Sequence, residues 1–119
     1  MRTWYRKIKN IIRWIPVLWD DRDGDYWYIF EILKTKLKFQ SEHFRKYGYH
    51  ESSERDAERM ELCIRLIDRV QNEYYFDQLV KEKRAEFTDK DIKEATDKHD
   101  KAKRILFKLL EQNIEGWWD

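Results

Sequence analysis

Apolar residues recur at steps of three and four positions along most of the chain, which is the spacing of one face of an α-helix. The longest such stretch covers residues 21–48, and its apolar positions are Tyr26, Phe30, Leu33, Leu37, Phe44 and Tyr47. Asp23 and Asp25 suit the positive start of a helix, and Gly48 suits a left-handed residue after its end. A second apolar group lies on a different side: Tyr28, Ile32 and Phe39. A helix with two apolar sides needs two neighbours, so we place this one at the centre of the fold.

The same spacing predicts three more helices, over residues 2–15, from residue 53 to about residue 84, and from residue 88 to residue 115. The third helix should break or bend between residues 72 and 77, where the apolar pattern loses order. One proline and three glycines in 119 residues leave few chain breaks, which favours long helices over a many-turned β fold. We therefore predict an all-α fold, a compact bundle of about four helices that forms one domain over residues 1–119.

Several residues mark the expected helix ends. Pro16 should end the first helix, because the residue before a proline is pushed out of the α-helical conformation. Ser53 with Asp56, and Thr88 with Asp91, have the spacing of a capping box. In that motif a hydroxyl and a carboxyl group bond the free amides at the start of a helix, so these pairs predict where the third and fourth helices begin.

The third and fourth helices add apolar stripes of their own to the predicted core around the second helix. The stripe members are Ala57, Met60, Ile64, Ile67 and Tyr74 in the third helix, and Ile92, Ala95, His99, Ala102, Leu106 and Leu109 in the fourth. Cys63 is the only cysteine and lies between two apolar residues, so we expect a buried thiol in a reducing cytosol. Trp117 and Trp118 are costly to leave in water, and should either seal the core or form part of an interface.

The first predicted helix allows two interpretations. Its cations, with no acid among them, are Arg2, Arg6, Lys7, Lys9 and Arg13. Its apolar side is Trp4, Ile8, Ile11, Ile12 and Ile15. A basic amphipathic helix of this kind can lie on an anionic membrane or cover a phosphate-bearing ligand. The interpretation that we favour is that residues 2–15 dock on the core, because apolar stripes are generally core faces.

Composition limits the classes of function. Charged residues make up 41% of the chain and aromatic residues 16%, a pairing that indicates solvated helix faces around an aromatic core rather than disorder. The net charge of +1 argues against a strongly basic nucleic-acid-binding protein, although it allows a local basic patch. No apolar run approaches the roughly 18 residues of a membrane span, and the N-terminus has no signal-peptide pattern.

The metal-binding patterns in the chain are incomplete. Residues 21–32 begin like an EF-hand calcium loop, but Tyr26 stands where that loop has glycine and Ile32 where it has a bidentate glutamate. The three histidines and Cys63 match no zinc spacing. We therefore expect no bound cofactor.

Two carboxylate pairs allow an enzymatic alternative. Glu58 with Glu61, and Glu94 with Asp97, resemble the paired motifs of all-α nucleoside-triphosphate pyrophosphatases, which hold magnesium with clustered oxygen ligands. The gap between the pairs, residues 62–93, is longer than that family usually shows, and such pairs arise easily by chance in an acid-rich chain. A magnesium-dependent enzyme is therefore the alternative and not the favoured interpretation.

Three stretches carry a resemblance: LWDDRDGDYWYIFEILKTKLK, LCIRLIDR and HDKAKRILFKLLEQNIEGWWD. Together they cover about half of the chain, and they resemble a group of small all-helical proteins of tailed bacteriophages that end in Trp-Trp-Asp. The resemblance implies a phage protein that works in the bacterial cytoplasm. Small non-enzymatic phage proteins there block a host protein or sequester a host signalling nucleotide.

We accordingly predict a non-enzymatic binder that counteracts host defence, holding a nucleotide in a helical pocket. The candidate ligand-binding residues are Arg22, Tyr26, Arg65, Arg69, His99 and Trp117. The arginines would meet phosphates, and Tyr26 or a terminal tryptophan would stack on a base. His99 is otherwise a hydrogen-bonded core residue, and Arg65 and Arg69 otherwise form a surface salt-bridge cluster with Asp68.

Three further expectations concern partners. The residues Glu31, Lys34, Lys38 and Arg45 fall at helical spacing and give a mostly basic strip, which can bind phosphate or simply face water. The alternative to a nucleotide ligand is a host protein, held by a protein-interaction or scaffold module. The excess of aromatic residues also predicts self-association into a homo-oligomer.

Overall fold

A computed structural model describes residues 2–21, 24–48, 51–84 and 86–117. The described residues form five α-helices and no strand. The helices are α1 Arg2–Leu18, α2 Tyr26–Tyr47, α3 Ser53–Gln71, α4 Tyr74–Lys83 and α5 Asp89–Asn113, and α5 is followed by a 3₁₀ turn, Ile114–Gly116. The prediction of an all-helical fold is confirmed, with five helices where the sequence predicted about four.

The additional helix arises from a break at Asn72 and Glu73. Asn72 ends α3, donating its backbone amide to the Asp68 carbonyl and its side-chain amide to the Asp68 carboxylate at 2.9 Å. Glu73 has a φ of 52°, in the left-handed region, which turns the chain before α4 begins. The predicted break between residues 72 and 77 is therefore confirmed, and it separates two helices instead of bending one.

The centre of the fold is α3, and the prediction that places α2 there is wrong. α3 packs against α2, α4 and α5, and it supplies more buried residues than any other described helix. The core cluster is Leu37, Phe44, Ala57, Met60, Cys63, Leu66, Ile67, Val70, Ala102, Leu106, Leu110 and Trp117. The ends of the predicted α2 stripe, Tyr26 and Tyr47, are exposed, so α2 buries only a narrow face. The stripe members Tyr74 and Ile92 are also exposed.

The first helix does not dock on the core as we expected. None of its residues is buried, and within the described part of the chain it packs against α2 alone. The contact is small: the rings of Trp14 and Phe39 meet edge to face at 5.5 Å, and the Arg13 guanidinium lies 3.7 Å from the Phe39 ring centre. The apolar stripe of α1 therefore predicted an apolar helix face correctly, but the prediction that this face contacts the core is wrong.

Pro16 does not end α1, which continues to Leu18. A proline removes one amide, the donor to the carbonyl four residues earlier, which here belongs to Ile12. The helix tolerates this loss in its last turn, where the amide of Trp19 still donates to the Ile15 carbonyl at 2.9 Å. The predicted boundary is therefore wrong by three residues.

The boundary between α2 and α3 differs from the prediction in two details. Gly48 has a φ of −59°, so it is not the left-handed residue that we predicted. A side chain at position 48 would collide with Ser53 and with the Phe44 carbonyl, so close approach is what requires glycine here. The N-cap of α3 is Ser52 and not Ser53, and the side chain of Ser52 makes no capping hydrogen bond within the described residues.

The start of α5 has the predicted capping box. The Asp91 amide donates to the Thr88 hydroxyl at 3.3 Å, and the Thr88 amide donates to the Asp91 carboxylate at 3.0 Å. The regular helix ends at Asn113, two residues before the predicted end, and the chain then tightens into the 3₁₀ turn. Trp117 is buried in the core cluster and therefore seals the core, one of its two predicted roles, while Trp118 lies outside the described residues.

Two isoleucines allow a matched test of this core. Ile67 is fully buried in α3, whereas Ile29 on α2 is 69% exposed. Replacing Ile67 with alanine should lower the free energy of unfolding by about 2–5 kcal/mol, because it leaves a cavity as well as removing apolar contact. The Ile29→Ala variant should stay within about 0.5 kcal/mol of the parent. Urea unfolding measures both, and equal losses in the two variants would contradict the described core.

Candidate functional site

A polar groove of about 680 Å³ runs between α2 and α3. Glu31 and Asp68 lie near one end of the groove, and Glu61 and Ser41 lie near the other, so the two helices run antiparallel. The charged residues that line it are Glu31, Lys34, Lys38, Glu42, Glu61, Arg65 and Asp68. Ile64 and Thr35 supply the less polar part of its wall. The groove includes three members of the predicted basic strip of α2.

An ion pair at one end of the groove joins Arg45 and Glu61. The Arg45 Nε and Nη2 atoms donate to the two carboxylate oxygens of Glu61 at 2.6 and 2.8 Å. This bidentate hydrogen bond holds the pKa of Glu61 below its usual value, and the same bond raises the pKa of Arg45. The pair ties the last turn of α2 to the middle of α3.

At the other end of the groove, the buried side-chain amide of Gln71 joins α3 to α2. The Gln71 side chain donates to the Glu31 carboxylate at 2.7 Å and to the Trp27 carbonyl at 3.1 Å, and it accepts from Lys34 Nζ at 2.9 Å. Lys34 Nζ also lies 3.2 Å from Glu31 and 3.5 Å from Asp68. Gln71 is 3% exposed, so these bonds satisfy an amide that water cannot reach.

These contacts leave two cations of the groove available. Glu61 is paired with Arg45, and Glu31 and Asp68 share Lys34. Lys38 and Arg65 have no carboxylate within ion-pair distance among the described residues, although the charge of Arg65 helps to lower the pKa of Glu61. An anionic group entering the groove could therefore meet two cations without breaking an existing ion pair.

The predicted site residues are spread over the molecule, and of the five that the structure describes only Arg65 lines this groove. Arg69, one turn further along α3, lies with its guanidinium 4.9 Å from the Tyr74 ring centre and donates to the Tyr75 hydroxyl at 3.4 Å. Tyr26 is exposed and meets Phe30 edge to face at 6.1 Å. Arg22 lies outside the described residues.

His99 and Trp117 lie in other surroundings. His99 is half-buried on α5, its ring centre lies 5.9 Å from that of Phe76, and its buried Nδ1 atom has no hydrogen-bond partner among the described residues. Trp117 is buried, and its backbone carbonyl accepts from the Gln40 side chain at 2.6 Å. A stacking role for Trp117 would need its ring to leave the core.

One member of each carboxylate pair of the enzymatic alternative lines a groove, and the two grooves are different. Glu61 lines the α2–α3 groove and is bonded to Arg45, whereas Glu94 lines a smaller groove between α4 and α5, beside Asp91. Within the described ranges, no group of three or more histidine, cysteine, aspartate or glutamate residues is arranged to hold a metal ion. The predicted pairs therefore do not converge on one magnesium site.

Sequence reasoning missed Gln71 and the pairing of Arg45 with Glu61. Gln71 continues the spacing of the predicted α3 stripe, four residues after Ile67, and a polar residue at such a position signals a buried hydrogen-bond network. Arg45 and Glu61 lie on different helices, so their pairing depends on how the helices align and has no local signal. Cys63 is buried as predicted, and burial raises its pKa to about 11.

Comparison of the chain with models of protein families finds no match, and neither do comparisons with curated proteins and with solved structures. No helix of the described ranges is long and apolar enough to cross a membrane.

The ion pair between Arg45 and Glu61 predicts a specific pH dependence. Because the pKa of Glu61 is lowered in the folded protein, the pair stabilises the fold above the usual glutamate pKa, and this stabilisation is lost as the pH falls through the lowered pKa. The Arg45→Met variant should therefore be less stable than the parent at neutral pH, and the difference should disappear in acid.

Urea unfolding at a series of pH values measures this difference. Arg104→Met is the control, because Arg104 is an exposed arginine of α5 that has no ion pair among the described residues. A difference between parent and Arg45→Met that does not change with pH would show that the loss comes from packing and not from the ion pair.

Proposed function

We propose that this protein is a non-enzymatic binder that holds a phosphate-bearing ligand in the α2–α3 groove. The observation that carries the proposal is the position of Lys38 and Arg65, which line the same groove and have no carboxylate partner among the residues that the structure describes. A guanidinium presents a planar fork of donors that matches two phosphate oxygens, and an ammonium adds a compact positive charge. Together they suit a diphosphate or a cyclic nucleotide.

The remaining contacts of the groove support binding over chemistry. Arg45 and Glu61 at one end, and the Gln71 network at the other, fix the two helices that carry the cations. A site that is held rigid in advance loses less conformational entropy when a ligand binds. Within the described residues no aromatic side chain lines this groove, so the phosphates, and not a stacked base, are the groups that it would recognise.

The resemblance to phage proteins supplies the proposed cellular location of this activity. In that setting the protein would act in the cytoplasm of an infected bacterium, remove a signalling nucleotide from solution, and so counteract host defence. A sequestering protein needs high affinity and no turnover. We also propose that it acts as a homo-oligomer, since the described surface carries many exposed aromatic and aliphatic side chains.

The magnesium-dependent pyrophosphatase is a weaker alternative for a specific reason. It requires both carboxylate pairs at one site, and Glu61 and Glu94 line different grooves. A protein-interaction module is the other alternative. Its support lies in a separate part of the molecule, the exposed apolar surface of α1.

A thermal-shift screen against linear and cyclic nucleotides, with and without magnesium, tests the proposal. A ligand that binds only the folded state at a hundred times its Kd adds about 2.7 kcal/mol to the free energy of unfolding. We expect a rise in Tm for at least one nucleotide, and chromatography should recover that nucleotide unchanged. Replacing both Lys38 and Arg65 with glutamine should abolish the rise.

The control for the screen is Arg104→Gln, which removes an exposed arginine outside the groove and should keep the rise in Tm. An altered nucleotide would contradict sequestration and favour the enzyme. A Tm rise that survives in the Lys38 and Arg65 double variant would place the ligand elsewhere. If no nucleotide raises the Tm, the result would count against nucleotide sequestration and against the enzyme, and it would favour a protein-interaction module.

A further inference from the structure

The apolar arc of α1 is uncovered in the described structure. We define this arc as Trp4, Ile8, Ile11, Ile12, Ile15 and Leu18. At 3.6 residues per turn these six side chains occupy about 120° of the helix circumference. Their exposed fractions range from 46% for Ile15 to 71% for Trp4. Six large apolar side chains on one helix face form a contiguous patch, which marks an interaction surface rather than ordinary scattered exposure.

The arc points away from the rest of the molecule. Within the described residues α1 packs against α2 only, and Trp14 and Arg13 contact Phe39 at this interface. At 100° per residue both lie outside the arc, and Arg13 lies on the opposite side of the helix. The α1–α2 contact therefore fixes the helix without covering its apolar face.

The charges of α1 are all of one sign. Its five cations are Arg2, Arg6, Lys7, Lys9 and Arg13, and the first acid of the chain is Asp20, after the end of the helix. Lys7 borders one edge of the arc, with its Nζ atom 5.7 Å from the Trp4 ring centre, and Lys9 lies beyond the other edge. Long cationic side chains beside an apolar face can extend their charged ends to a surface that the face enters.

We propose that the apolar arc of α1 docks on the surface of an anionic phospholipid bilayer. A helix with an apolar face that includes tryptophan, and with a polar face rich in lysine and arginine, lies in the plane of the lipid headgroups. Its apolar side chains enter the boundary of the acyl chains, and its cations meet the lipid phosphates. With 17 residues, α1 has a length of about 25 Å, which suits a helix lying along the surface.

Charge complementarity favours lipid over a second copy of the chain. Two α1 helices joined through their arcs would bring together five cations from each copy, with no acid on either helix to pair with them. Like charges at such an interface oppose association, whereas an anionic bilayer supplies the opposite charge. This proposal is independent of the groove between α2 and α3, because none of the groove residues lies on α1.

Flotation of the full-length protein with vesicles tests the proposal. Vesicles of phosphatidylcholine are compared with vesicles that contain equal parts of phosphatidylcholine and phosphatidylglycerol. We expect binding to the anionic vesicles that weakens with added salt, with a blue shift of tryptophan fluorescence as Trp4 enters the headgroup region. The variant with both Ile11 and Ile15 replaced by glutamine should bind at least about tenfold more weakly, because it removes two apolar groups from the arc.

Two further variants separate the contributions. Replacing Lys7 and Lys9 with glutamine should weaken binding to anionic vesicles by about fivefold for each charge, with no such effect on neutral vesicles. Ile29→Gln makes the same chemical change at an exposed isoleucine outside α1, and should bind like the parent. Because Ile11, Ile15 and Ile29 are all exposed, none of these changes should unfold the protein, and urea unfolding checks this.

Three results would overturn the proposal. Equal binding to neutral and anionic vesicles would remove the role of the cations, and equal binding by the Ile11 and Ile15 double variant would remove the role of the arc. Absence of binding to either kind of vesicle would remove the bilayer as the occupant of the arc, and self-association that this double variant abolishes, measured by analytical ultracentrifugation without lipid, would then show that a second copy covers the arc instead.

Discussion

The buried amide of Gln71 determines how α2 and α3 align. It bonds the Trp27 carbonyl and the Glu31 carboxylate near the start of α2, and it accepts a hydrogen bond from Lys34. An amide that is 3% exposed would lose hydrogen bonds if either helix moved along the other, and an unsatisfied buried polar group costs about 1–3 kcal/mol. Apolar packing alone tolerates sliding more easily, so the Gln71 network gives this helix pair its register. The groove that Lys38 and Arg65 both line depends on that register.

The high charge of the chain has different consequences in different places. Between α2 and α3, cations and carboxylates pair across the helices, and of the described cations that line the groove Lys38 and Arg65 are left for an anionic ligand. On α1 the cations have no acids beside them, so that helix keeps its positive charge for an external partner. The small net charge of the whole chain hides this separation. Two surfaces that suit anions can therefore exist on a nearly neutral protein.

Local patterns predicted the elements of this fold, whereas the arrangement of the elements required the structure. The capping box of Thr88 and Asp91, the break near Asn72 and the burial of Cys63 depend on neighbours in sequence, and all three were predictable. The central role of α3 could not be predicted, because helical spacing shows that a face is apolar but does not show what covers that face. The same ambiguity explains α1, whose apolar face looks like a core face and is exposed. Within the candidate site, the sequence indicated the basic strip of α2 and Arg65. It did not indicate the bond from Arg45 to Glu61, because these residues lie 16 positions apart on different helices.

Within the described residues, the bundle leaves the apolar face of α1 uncovered. Hydrogen–deuterium exchange, read by mass spectrometry for each helix, measures this exposure, because helices with little tertiary packing open and exchange far sooner than core helices. We expect fast exchange in α1 and slow exchange in α3 for the protein alone, and a slowing confined to α1 when anionic vesicles are added. Protection of α1 equal to that of α3 in the absence of lipid would contradict an uncovered α1, because it would mean that α1 is packed on the core or on another copy of the chain.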